Sequence, residues 1–191
     1  MQQVQLKVEH SLSDHEIVSA FSKDETRELA FTWLVRRDQK KIYWFIRRMV
    51  IDHEDANDLV QEVFISVWKS FPRFRGESTI CTWLYKIATN VTLTFLKRKK
   101  ADRSWISFNQ EDDLKEKLYS GNYIDGDAIE LKLQRAILSL PDTQRLIFQL
   151  RYFDDFTYEE ISQVLEVSVG ALKADYHLAA KKVESFLKRN D

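Results

Sequence analysis

Four glycines and two prolines in 191 residues leave this chain almost no material for tight hairpins or phosphate-cradling loops. Ordinary proteins carry roughly 7% glycine and 5% proline, and the hairpin turns that close antiparallel strands depend on glycine's easy access to positive φ. A chain so poor in both is left with long helices and short connections. Apolar side chains make up 44% of it, enough to bury a core in one domain or two small ones. The expectation is an all-α protein.

The lone Cys81 excludes an internal disulfide, and no second cysteine or histidine stands beside it at metal-ligand spacing. That favours a reduced, cytoplasmic setting with Cys81 as a buried structural thiol, and neither a metal nor a cofactor. Met1 to His10 hold no basic stretch followed by an apolar one, and no apolar run reaches roughly 18 residues. Secretion and membrane insertion are therefore not expected.

The net charge of −1 conceals a strong asymmetry. Residues 27–100 carry 15 basic and 8 acidic side chains, a net of +7, whereas residues 1–26 carry −3, 101–127 carry −4 and 128–191 carry −1. Phosphate contacts need clustered Lys and Arg, so an electrostatic footprint for nucleic acid belongs to the first half. A solvated charged surface is the alternative, and composition alone leaves it open.

Helical spacing is clearest between Asp52 and Phe71. Ala56, Leu59, Val60, Val63, Phe64 and Val67 make one buried stripe. Asp58, Gln61, Glu62 and Ile65 then face the other way, with Trp68 on the flank. An aliphatic group exposed among acids suggests a partner surface, against the plainer reading of a solvated face with one stray isoleucine. Ahead of this segment, Ser13-x-x-Glu16 caps a helix from about Asp14 to Phe21, and another follows from about Asp24 to Met49. Beyond it, Pro72 and Gly76 bracket a loop holding Arg73, Phe74 and Arg75. A helix then runs from about Thr79 to Lys99 with Trp83, Leu84, Ile87, Ala88, Val91 and either Phe95 or Leu96 as its apolar positions. Its basic end, Lys97 to Lys100, complements the helix dipole. Residues 101–127 lose the period and read as a flexible linker.

Period returns from Ala128 to Leu140, and Pro141 is placed to start a further helix. Thr157 and Glu160 form a capping box for a helix through Leu165; after a break at Glu166-Val167, Ser168 caps the last helix. Leu172, Tyr176, Ala179, Val183 and Phe186 form its inner stripe, leaving Ala171, Lys173, Ala174, His177 and Lys181 outward. Two helices across so short a turn, the second with small residues at its start, form the helix-turn-helix layout whose second helix enters the major groove. Plain helical hairpins share the pattern.

The run Asp55-Ala56-Asn57-Asp58-Leu59-Val60-Gln61-Glu62-Val63-Phe64, with Phe74-Arg75-Gly76-Glu77-Ser78 and Thr82-Trp83-Leu84-Tyr85-Lys86-Ile87-Ala88-Thr89-Asn90, resembles region two of extracytoplasmic-function sigma factors. Leu140-Pro141, Gln144-Arg145, Thr157-Tyr158-Glu159-Glu160-Ile161 and Ser168-Val169-Gly170 resemble their region four. The resemblance implies two small helical domains, residues 10–100 and 128–191, joined by the linker 101–127, in a promoter-recognition subunit with no catalysis. It implies that Asp58, Gln61, Glu62, Ile65 and Trp68 dock on the clamp coiled coil of core RNA polymerase. Arg73, Arg75, Ser78, Tyr85, Lys86, Thr89, Asn90, Lys97 and Arg98 would take the minus-ten element of promoter DNA. Ser168, Gly170, Ala171, Lys173, Ala174, His177 and Lys181 would read the minus-thirty-five element, beside a contact with the polymerase flap. An anti-sigma factor is a further partner the family suggests.

This sequence departs from the family where Glu166 stands in place of a common turn glycine, and where Asp175, Leu178 and Ala180 replace frequent arginines. Fewer cations predict weak duplex binding by the chain alone. A stand-alone helix-turn-helix regulator is the competing reading, and it leaves the acidic helix face unexplained. An enzyme would have to be built on Asp52, His53, Glu54, Asp55 and Asp58, but acids in a first turn follow from the dipole alone, and His53-Glu54 lacks a second histidine four residues on.

Overall fold

The computed structural model describes residues 12–101 and 128–189, and within them the chain is helical throughout apart from short connections. Eight α-helices are present among the described residues: α1 (Asp14–Phe21), α2 (Arg27–Val50), α3 (His53–Ser70), α4 (Ile80–Ala101), α5 (Ala128–Leu138), α6 (Asp142–Tyr152), α7 (Tyr158–Leu165) and α8 (Val169–Leu187). A single 3₁₀ turn, Phe71–Arg73, follows α3. The linker expected at 101–127 lies outside the described residues, save for Ala101 at the end of α4.

Capping residues set most of the boundaries. Ser13 and Glu16 exchange hydrogen bonds as a complete box: the Glu16 amide donates to Ser13 Oγ at 3.3 Å, and the Ser13 amide donates to the Glu16 carboxylate at 2.8 Å. Asp52 opens α3 by accepting from the amides of Glu54 and Asp55. Thr157 and Glu160 repeat the box at α7, and Ser168 accepts from the Ala171 amide at α8. Each such cap is worth about 1 kcal/mol.

Two boundaries differ from expectation. α2 starts at Arg27 rather than near Asp24, because Asp24 lies in the preceding turn and pairs with Arg27 at 2.9 Å. Pro141 does not begin α6 but caps it from outside, with ψ at 147° keeping it extended while Asp142 takes the first helical position. Ile51 turns the corner between α2 and α3 with φ at 67°, a turn with no glycine or asparagine to signal it in the sequence. Positive φ is costly for a β-branched residue, and the Ile51 side chain is held there fully buried, 1% exposed.

The first four helices share one core. Leu34, Ile42, Phe45, Ile46 and Met49 on α2 meet Leu59, Val63 and Val67 on α3 and Ile80, Leu84, Ala88 and Leu96 on α4, all essentially inaccessible. Leu96 rather than Phe95 takes the inward place. A side chain of this size stabilises the fold by about 1.5–3 kcal/mol when fully buried. A second core of Ala136, Ile137, Leu140, Phe148, Ala179 and Val183 binds α5, α6 and α8.

The two halves pack on each other. α4 lies against α7 and α2 against α6, so Leu146, Ile147, Leu150, Phe156, Ile161, Val164 and Leu172 are continuous with the first core. The Gln149 side-chain amide donates to the Arg48 carbonyl at 3.0 Å across this seam.

Candidate nucleic-acid and polymerase interface

Three surfaces carry the residues singled out from sequence. On α3 the buried stripe turns Asp58, Gln61, Glu62 and Ile65 to solvent, and Ile65 is 54% exposed. Trp68 is held at the edge of this face by Phe21 and Phe31, whose ring centroids lie 5.5 and 5.0 Å from its own in edge-on contacts. The Phe21 contact comes from α1, an element whose role in buttressing this face had no signal in the sequence. An acidic rim around an accessible aliphatic and an oriented indole offers a partner both charge and a desolvated centre.

The second surface surrounds the loop after α3. A cavity of about 520 Å³ opens there between Arg73, Phe74, Arg75, Ser78, Trp83 and Lys86. Phe71, Phe74 and Trp83 pack together, with the Phe74 and Trp83 rings 5.0 Å apart, so the loop rests on an aromatic base. Gly76 adopts φ of 72°, which a residue with a side chain tolerates poorly. Arg73 and Arg75 are exposed, Ser78 half-buried, and Asn90, Lys97 and Arg98 exposed along α4. Arginines over a pocket floored with aromatics suit an unstacked base and its phosphates.

Tyr85 and Thr89 do not lie on this surface as expected. They are 3% and 2% exposed, and over Tyr85 it is the second half of the chain that supplies the cover. The Tyr85 ring stands 4.6 Å from Phe156, and its hydroxyl donates to Asp154 at 3.1 Å. Burial, with the Asp154 charge beside it, pushes the Tyr85 phenol well above its ordinary range. Asp154 in turn accepts from Arg48 at 2.7 and 2.9 Å. Burial raises its carboxyl above the ordinary value, against the opposing pull of Arg48. Lys86 stays half-exposed but donates to Glu166 at 2.7 Å. That hydrogen bond holds the Glu166 carboxyl below its usual range. Lys100 likewise donates to Asp142 at 2.6 Å, while Lys99 pairs with Asp55.

The third surface is the start of α8. Ser168, Gly170, Ala171, Lys173, Ala174, His177 and Lys181 are all exposed on one side of it. Lys173 leans over the Tyr158 ring, 5.6 Å from its centroid. Glu166, in the turn before this helix, takes φ of 57°, the left-handed conformation in which glycine is favoured.

The acidic start of α3 has the makeup of a helix terminus. Both ring nitrogens of His53 are engaged, one with the Tyr43 hydroxyl at 2.7 Å and one with the Asn57 amide at 3.1 Å. Among the described residues no cluster of His, Cys, Asp and Glu is arranged to hold a metal, and no helix is long and apolar enough to cross a membrane.

Comparison with known proteins matches residues 34–102 to the family model of sigma-70 region 2 and residues 130–183 to that of sigma-70 region 4. The chain is 30% identical over 182 residues to the RNA polymerase sigma-H factor of Pseudomonas aeruginosa, covering 91% of this chain and 93% of that one. It is 31% identical over 156 residues to the ECF RNA polymerase sigma factor SigW of Bacillus subtilis, covering 78% and 83%. Among solved structures, the sigma factor RpoE of Bartonella quintana, crystallised with the anti-sigma factor NepR, superposes with a TM-score of 0.65 at 18% identity, over 84% of this chain and 98% of that one. At that identity the likeness speaks for the fold.

Proposed function

Because this chain belongs to the extracytoplasmic-function sigma factors of the sigma-70 family, we propose that its three surfaces divide the work of promoter recognition among them. The chain is a promoter-recognition subunit that joins core RNA polymerase and directs it to promoter DNA; it is not an enzyme. The residue assignments are our own reading. Asp58, Gln61, Glu62, Ile65 and Trp68 grip the clamp coiled coil. The loop Arg73 to Ser78, with Lys86, Asn90, Lys97 and Arg98, captures the melted minus-ten strand. Tyr85 and Thr89 join that set once the face covering them moves away. The outer side of α8 lies in the major groove of the minus-thirty-five element, with the polymerase flap against the same half of the chain. The cytoplasm is where this work is done, and an anti-sigma factor, as in the RpoE complex, is a fitting regulator.

The observation that carries the reading is Ile65, a large aliphatic side chain 54% exposed within an acidic helix face. A solvated helix has no use for it, whereas a docking partner buries it and gains from each square ångström removed from water. Run-off transcription with core polymerase tests the assignment. Asp58→Arg and Glu62→Arg should each abolish core binding and transcript, with unchanged thermal melting because both side chains are exposed. Retained binding in both variants would overturn it.

A further inference from the structure

Leu178 is the one large apolar side chain on the outer side of α8, and it is 48% exposed. The fold does not call for it there, since α8 packs through Leu172, Ala179 and Val183, all buried on another side of the helix. Its surroundings are distinctive. Ala171 and Ala174, both exposed, precede it at helical spacing and form one apolar stripe with it, while Lys173, His177 and Lys181 stand exposed around them. We propose that Leu178, with Ala174 and Ala171, selects thymine in the minus-thirty-five element by seating the C5 methyl group of that base. This rests on the placing of α8 in the major groove given above.

The thymine methyl is the apolar group that the major groove presents; the other base edges there offer hydrogen-bond donors and acceptors. A leucine turned into the groove therefore gains from thymine and from no other base. The side chain that most often selects guanine, an arginine reaching O6 and N7, is missing, because α8 holds no arginine. Of its lysines, Lys173 is drawn over the Tyr158 ring and Lys182 donates to Gln144 at 2.9 Å. Asp175, half-buried beside the stripe, repels phosphate and leaves the place to a base. Duplex DNA answers both parts of this surface, a methyl for the stripe and phosphates for Lys173, His177 and Lys181, whereas an apolar protein surface would leave the cations without a counterpart.

Leucine is short, so it touches a base edge only where the helix backbone comes close to the groove floor. Gly170, Ala171 and Ala174 leave room for that approach. At Gly170 an added Cβ would meet nothing within 4 Å, and positive φ is confined to other residues. Neither packing nor backbone conformation asks for glycine at this position. Glycine weakens a helix relative to alanine, and what it leaves open here is space outside the protein, where another molecule can come near the backbone. From Ala171 to Leu178 the helix rises about 10 Å at about 1.5 Å per residue, close to three base-pair steps of about 3.4 Å.

The test supplies bacterial core polymerase, reconstituted with the full chain, with promoter templates randomised upstream of the minus-ten element, and sequences those that are transcribed. The selected element should hold a thymine whose replacement by deoxyuridine, which lacks only the methyl group, weakens holoenzyme binding about fourfold, the worth of one buried methyl. Leu178→Ala should still join core polymerase but bind the thymine and deoxyuridine templates alike. The side chain is exposed, so this variant keeps the fold. Lys181→Ala, which removes a phosphate contact, should weaken both templates equally and keep the preference for the methyl. A selected element without thymine, thymines that deoxyuridine replaces without loss, or a methyl preference that survives Leu178→Ala would overturn the inference and leave α8 in the groove. Templates that show no upstream preference at all would overturn that placement and the inference with it. Loss of core binding in Leu178→Ala would overturn the inference in another way, by showing that the leucine meets polymerase rather than a base.

Discussion

Removing Asp154 measures the energetics of the seam directly. Its carboxylate accepts two hydrogen bonds from Arg48, and the two side chains are only 12% and 9% exposed. In Asp154→Ala the guanidinium keeps its place over the Phe153 ring, 4.8 Å from the centroid, but loses its counter-charge. A buried charge stripped of its partner costs about 3–5 kcal/mol, and the Tyr85 hydroxyl, losing its acceptor, adds about 1 kcal/mol. In urea, with a slope of about 2 kcal/mol per molar, the midpoint should fall by about 2–3 M. Replacing both partners by apolar groups, Arg48→Met with Asp154→Leu, should restore all but the share of Tyr85, since a buried ion pair contributes little over well-packed hydrophobes. If the halves separate instead, Arg48 regains water, and the loss is capped at the free energy of their packing on each other. Circular dichroism would then show two transitions. A loss under about 1 kcal/mol with a single transition and unchanged scattering dimensions would refute the reasoning, because it would mean that Arg48 is already solvated in the folded chain.

Other consequences are simpler to measure. Thr157→Ala removes one acceptor of the α7 capping box and should lower stability by about 1 kcal/mol, with the melting temperature following, while Thr157→Ser should be nearly silent. Phe45→Ala empties a fully buried site at the centre of the first core and should cost about 3–5 kcal/mol in urea unfolding. Burial, with the Asp38 charge nearby, pushes the Cys81 thiol up to about 11. The reactive thiolate is the deprotonated form, so at pH 8 its population should be about a hundredfold below that of a thiol of ordinary value. Iodoacetamide labelling should accordingly be slow, accelerate as pH climbs towards 11, and become fast at pH 8 only in denaturant. Rapid labelling of the folded chain at pH 8 would contradict that placement.

Elements defined by their own residues were legible in advance. The caps at Ser13, Asp52, Thr157 and Ser168 are local chemistry, settled within four residues, and the structure holds each of them. The α3 stripe likewise separates buried Leu59, Val63 and Val67 from exposed Asp58, Glu62 and Ile65 by period alone. What escaped depends on partners distant in sequence. Nothing near Tyr85 or Thr89 announces burial; a helical pattern names a face but not what covers it, and over Tyr85 the cover comes from Asp154 and Phe156, about 70 residues on. Ile51 escaped for the opposite reason: a β-branched residue is a poor guess for positive φ, and only the core that holds its side chain makes the corner tenable.

The same distinction bears on which of its cations the chain can present to DNA. A net of +7 between residues 27 and 100 suggests ready phosphate binding, yet Lys86, Lys99, Lys100, Arg37 and Arg48 all lie against carboxylates. Arg37 with Asp14 and Asp38 belongs to the fixed framework, since Asp14 also accepts from the Ile80 amide at 2.7 Å and ties α1 to α4. The pairs that cross the seam differ in kind: they exist only while the halves touch. Counterion release drives phosphate binding in proportion to the cations a protein can present. Cations already held by carboxylates contribute less to that drive, which falls instead to exposed ones such as Arg73, Lys97 and Arg98.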